Sequence, residues 1–209
     1  MKKLHVKVLY TEELLGTASA NKELHSEFIA SKAPDAPSRE EEVAALGADA
    51  VEEKAMTVFP RMDDGTPHLW DYQIRGFFKE SCSMLRRADG TKSKNLKAFK
   101  KEIDGLVFVE PRKIPLIIPD GETVGNRQRP LRASTAQGER VALANSETVP
   151  VGTTQEFDVV LLKEDLAPLI AEWLDYGKYH GTGQWRNSGA GRFLFEMTDE
   201  SGKVVAGNL

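Results

Sequence analysis

A strand, a helix, a glycine-rich loop and a second strand follow one another over residues 156–197, and this order limits the fold more than any other part of the chain. EFDVVLL (156–162) is an apolar, β-branched run of strand length. Leu166, Leu169, Ile170, Trp173 and Leu174 then recur at helical spacing, with Asp165 placed to cap the helix and Gly177 to end it. RFLFEM (192–197) reads as the closing strand. A helix with one apolar stripe, flanked by strands, buries that stripe on the sheet the strands build.

Between the helix and that strand lies HGTGQWRNSGAGRF (180–193), longer than a plain connection requires. It is not a dinucleotide fingerprint, because G-x-G-x-x-G follows a strand and opens a helix, and the order here is reversed. No GK[ST] is present, so it is not a P-loop. Two readings fit the loop. Gly181, Gly183, Gly189 and Gly191 can expose N–H groups in a nest for an anion, with Arg186 and Arg192 beside it and Trp185 able to stack on a base. Alternatively, the glycines serve a tight turn and Trp185 packs into the core.

Upstream, Leu4, Val6, Val8 and Tyr10 alternate with other residues as one face of an opening strand, which LLGT (14–17) ends. Residues 18–55 read as an acidic helical insertion with a proline-bearing loop. Ile74, Phe77, Phe78, Cys82 and Leu85 mark a helix that Asp71 can cap. A short basic helix carries Leu96, Phe99 and Ile103 on one side, and LVFVE (106–110) and KIPLIIP (113–119) follow as strands, the second at an edge because of Pro115. Residues 120–135 show no period and read as a hairpin tip or loop, with ERVALANSETVP continuing a hairpin. The expected architecture is one α+β domain over 1–209, its antiparallel or mixed sheet covered by helices on one face, with insertions at about 18–55 and 106–150.

Charge is distributed unevenly. The formal net charge of −4 argues against nonspecific coating of nucleic acid. Yet residues 72–101 set a series of Lys and Arg, Arg75 and Lys79 among them, against only Glu80 and Asp89. RQRPLR then adds Arg127, Arg129 and Arg132 with no acid between them. This is the pattern of a basic face on an acidic protein, or of solvated helix and loop surfaces. Cys82, the single cysteine, cannot form an internal disulfide and falls on an apolar helix face. No CxxC or HxxxH pair suggests zinc, and Asp63, Asp64 and Glu40–Glu42 lack the spacing of magnesium ligands, so neither a metal nor a cofactor is expected. No apolar run of membrane-spanning length and no signal peptide is present, so the chain is expected to be cytoplasmic and away from membranes.

The strand, helix, loop ending in GxGRF and final strand resemble the C-terminal signature of the RAMP superfamily, the repeat-associated RNA-binding proteins of CRISPR systems. DGTPHLWDYQIRGFFKESCSML (64–85), with Ile74-Arg75-Gly76 opening a helix, is similar to a second segment of that family, and LLGT to a third. The resemblance covers about half of the chain and suits a stand-alone phage or prophage member; the acidic 18–55 insertion departs from the family.

The resemblance implies a ferredoxin-like (RRM-like) fold and RNA binding close to the glycine loop. The expected function is non-catalytic binding of single-stranded RNA, by the loop residues Gly181, Gly183, Trp185, Arg186, Gly189, Gly191 and Arg192. Arg75, Lys79, Arg127, Arg129 and Arg132 would supply further charge. Ribonucleoprotein subunits or further copies of the chain are the expected partners. One alternative is a protein-interaction module that kept the fold without RNA, using 18–55 as its contact surface. A second is a metal-independent endoribonuclease. Of the histidines His5, His25, His68 and His180, the candidates for its acid or base are His25, after LLGT, and His180, beside the loop.

Overall fold

The structure, a computed structural model, describes residues 1–20, 56–135 and 138–209, and over 131–143 it describes the backbone alone. The chain opens with β1 (Lys2–Tyr10), β2 (Leu14–Leu15) and β3 (Ala18–Ser19) and resumes with β4 (Thr57–Val58) and β5 (His68–Trp70). Helices α1 (Asp71–Leu85) and α2 (Phe99–Leu106) lead into β6 (Val107–Glu110) and β7 (Lys113–Pro115). A long hairpin, β8 (Gly125–Thr135) and β9 (Gly138–Val149), precedes β10 (Thr154–Leu161). Helices α3 (Ala167–Asp175) and α4 (Gly177–His180) and strands β11 (Phe193–Asp199) and β12 (Val204–Gly207) complete it.

The core sheet has the order β12-β11-β1-β10-β6, and all its pairs are antiparallel. Following the chain through β1, α1, β6, β10, α3 and β11 gives the β-α-β-β-α-β order of the ferredoxin-like fold, with β12 extending one edge. Alternation in β1 fixes which face is covered. Leu4, Val6, Val8 and Tyr10 are buried with Phe157, Val159 and Leu161 of β10, and the helices pack on them. The opposite face carries Lys3, His5 and Lys7, paired in register with Val160, Asp158 and Glu156.

Both main helices bury the stripes expected of them. Ile74, Phe77, Phe78 and Cys82 of α1 meet Leu169, Ile170, Trp173 and Leu174 of α3 over the sheet, with the rings of Phe78 and Trp173 5.7 Å apart. Burial raises the Cys82 thiol pKa, as befits a packed rather than a reactive thiol. Trp173 donates its indole N–H to Ser93 Oγ at 2.9 Å, and Glu172 accepts from the Lys92 and Ser93 N–H groups, pinning the 3-10 turn Lys92–Asn95 to α3.

The structure corrects several sequence expectations. Asp71 is the first residue of α1 rather than its cap; the N–H of Trp70, the residue before, is taken by Gln73 Oε1 at 2.7 Å. Gly177 does not end the helical run that α3 begins. The backbone continues through α4, and Gly181, at φ 72°, terminates it. Glycine is required at 177 for another reason: the Phe193 ring occupies the space a Cβ would take. Val107–Glu110, placed within the 106–150 insertion, is an edge strand of the core sheet. Residues 125–135 form a strand rather than a loop tip. Residues 125–130 are exposed, so no apolar period marks them, and pairing with β9 alone holds the strand extended. As an edge strand it tolerates Pro130.

A second sheet joins the two long connections of the core. Its order is β2-β9-β4-β3, with β8 on β9, so pieces before α1 pair with pieces after β6. Gly16 permits this contact, because a Cβ there would strike the Val58 backbone. Of the 18–55 insertion, only Ala18–Ala20 lies within the described residues, and Ala18–Ser19 is strand.

Candidate nucleic-acid interface

The glycine loop is closed at its base. Thr182 donates its N–H to the Gly191 carbonyl at 2.9 Å, and Gly191 donates to the Glu13 carbonyl at 2.8 Å. Gly181 and Gly191 both have positive φ, and a Cβ on either would meet the opposing backbone. Gly183 sits against Leu14 and the Leu15 carbonyl, whereas Gly189 has only the Arg192 guanidinium near it, no closer than 3.4 Å. Packing therefore accounts for glycine at 181, 183 and 191.

The rest of the loop stands out from that base as a lobe. Trp185 has φ 57°, in the left-handed region, and opens a 3-10 turn at Arg186–Ser188. It is half-buried and lies outside the hydrophobic core. Among the described residues no protein group accepts the N–H of Gly183, Gln184 or Trp185, so three consecutive donors lack a protein acceptor.

The hairpin brings cations to this lobe. The guanidinium carbons of Arg127 and Arg129, two residues apart on β8, lie 5.9 Å and 5.7 Å from the Trp185 ring centroid. Arg127 also reaches Glu13 at 3.3 Å, and Arg129 donates to Ser188 Oγ at 3.2 Å. Arg192 is exposed. Its carbonyl accepts from Thr11 N–H at 2.9 Å, and its side chain has no acceptor among the described residues.

The remaining candidates lie elsewhere or are committed. Arg186 and His180 share one carboxylate: Arg186 donates to Glu80 Oε2, and His180 Nε2 donates to Glu80 Oε1 at 2.9 Å. His180 also stacks on Tyr176, with ring centroids 5.3 Å apart. The three side chains tie the loop to α1. Arg75 bonds Asp71 at 3.4 Å, and Lys79 pairs with Asp104 of α2, away from the loop. Arg132 stands opposite Val141 in the hairpin, and its side chain lies outside the described residues, as does all of His25. His5 bonds Asp158 at 2.9 Å on the open face of the core sheet. Among the described residues no group of His, Cys, Asp and Glu is arranged to hold a metal ion, and no helix is long and apolar enough to cross a membrane.

Sequence reasoning missed Glu80 and Glu13, which anchor the loop through Arg186, Arg127 and the Gly191 N–H. In the sequence Glu80 is an isolated acid in a basic helix, and an acid left alone among cations is the signal that points to it. The alternation Arg127-Gln128-Arg129 puts both arginines on one face of a strand, but it reads so only once the strand is known.

No family model matches the chain, and no curated protein matches it. Among solved structures it is similar to a chain of the type III-B Cmr-beta complex, determined by cryo-EM bound to cognate target RNA. The two are 12% identical with a TM-score of 0.57 over 95% of this chain, which spans 61% of the length of the other. That likeness shows the α+β, ferredoxin-like fold, built on an antiparallel core sheet.

Proposed function

We propose that this protein binds single-stranded RNA without cutting it, as a RAMP-like unit of a ribonucleoprotein assembly. The observation that carries the reading is the placement of Arg127 and Arg129 over Trp185, beside the open N–H groups of 183–185. A half-buried aromatic with cations at its face and free donors beside it matches how single strands are held, by stacking and by tracking the backbone. Arg192 adds an unpaired charge on the same loop. The fold shared with a chain from an RNA-bound complex supports the reading. Arg75 and Lys79, in ion pairs on α1, contribute field rather than contact.

The test is fluorescence anisotropy of a labelled short single-stranded RNA. Charge reversal at Arg127 and Arg129 together, or at Arg192, is expected to weaken binding at least tenfold in a protein that still folds. Variants that fold and bind as tightly as the parent would refute the assignment. The alternative of a protein-interaction module is then tested by charge reversal within 38–53.

A further inference from the structure

Trp70, at the end of β5, and Tyr72, in the first turn of α1, present nearly parallel rings, 14° apart in plane with centroids 6.3 Å apart. Tyr72 is 55% exposed, so this pairing is not a product of core packing. The two rings wall a cavity of about 660 Å³, a size typical of small-ligand sites. His68 meets Trp70 edge-on, with centroids 4.9 Å apart, and holds its ring from behind the cavity.

Cations stand at the same ring. Arg112 lies 5.7 Å and Lys113 5.8 Å from the Trp70 centroid; both are exposed, and neither has a carboxylate partner among the described residues. Arg61 is the cation that lines the cavity itself, and it is bound by Glu147. Gln73, on the same wall, is engaged as well. Gln73 accepts from the Trp70 N–H and donates to Thr17 Oγ1 at 2.7 Å. Thr17 and Gln73 also line a second cleft, which runs along α1 to Gly183 and Arg186. Thr17 and Gln73, bonded to each other, are thus the shared wall between the aromatic cavity and the cleft that reaches the glycine loop.

We propose that Trp70 and Tyr72 form a stacking subsite for one unpaired nucleobase, whose phosphate is met by Arg112 and Lys113. Stacking against aromatic rings favours the base with the larger π surface, so purines bind more tightly than pyrimidines. The subsite stands by itself; only its place on a longer strand rests on the loop reading given above.

The experiment titrates AMP and UMP into the full chain and follows the three tryptophan indole N–H signals by NMR, assigned by substitution. AMP is expected to shift Trp70 and leave Trp173 still, with UMP weaker. Tyr72→Ala should weaken AMP binding by about 5- to 100-fold, and Tyr72→Phe should restore it. A Trp70 signal unmoved by millimolar AMP, or a Tyr72→Ala protein that binds as the parent does, overturns the subsite. If RNA still binds in that case, the loop reading survives. AMP binding at Trp70 in a protein that holds no RNA keeps the subsite and removes the loop reading.

Discussion

Thr182 donates its N–H to the Gly191 carbonyl at 2.9 Å, and a Cβ on Gly191 would land on the Thr182 carbonyl oxygen. One pair of residues therefore closes the loop and forbids a side chain at the closure. The lobe from Gly183 to Ala190 is presented by that closure, much as a hairpin tip is presented by its last ladder bond.

Gly191→Ala is expected to cost more than about 2 kcal/mol, because it combines a left-handed φ of 68° with a backbone clash. Gly189→Ala, at φ 88° with space around it, should cost only about 1 kcal/mol. Urea unfolding of the two variants checks the contrast; equal costs would show that the closure does not hold the loop.

Glu80 accepts from His180 and Arg186 at once. Glu80→Ala leaves both donors without their acceptor and is expected to lower stability by about 1–2 kcal/mol, because the carboxylate is only partly exposed. It should also release the loop from α1, seen as faster exchange of the bonded Ser188 and Gly189 amides with α3 unchanged.

Under the RNA-binding reading, the cations differ in how free they are. Arg192→Gln is expected to flatten the dependence of log Kobs on log salt by about 0.7, the contribution of one single-strand phosphate contact. Arg75→Gln, which only dissolves an i,i+4 pair with Asp71, should leave that slope unchanged. Salt titrations of the two variants decide between contact and field.

His68 is 1% exposed, and neither ring nitrogen has a hydrogen-bond partner among the described residues. Burial, aided by the charge of Lys113, pushes its pKa below the ordinary 6.5. Between 6.5 and that lower folded value the unfolded chain binds the proton and the folded protein does not, so stability falls as pH falls through this window. The carboxylates with lowered pKa, Asp64, Asp158 and Asp199, act at lower pH, below about 4. His68→Leu is therefore expected to remove the loss that begins near pH 6.5 and leave the loss at lower pH. Denaturation midpoints from pH 8 to pH 4.5 read this out; an unchanged profile would mean that His68 does not titrate as buried.

The sequence by itself determined the elements whose apolar residues repeat: the buried face of β1, the stripes of α1 and α3, and the strands β10 and β11. Each of these must hide one side from water, and that need is written as a period of two or of 3.6. It also marked the glycine loop. Only the tertiary structure decided what the loop meets. Arg127 and Arg129 reach Trp185, which follows them by more than fifty residues, because β9 pairs with strands from both long connections and carries β8 with it. Strand pairing is set by backbone hydrogen bonds and the closure of long loops, and exposed β8 leaves no hydrophobic signature of it. Likewise, Glu80 and the aromatic pair Trp70 and Tyr72 acquire their roles from what is folded against them, which no local spacing encodes.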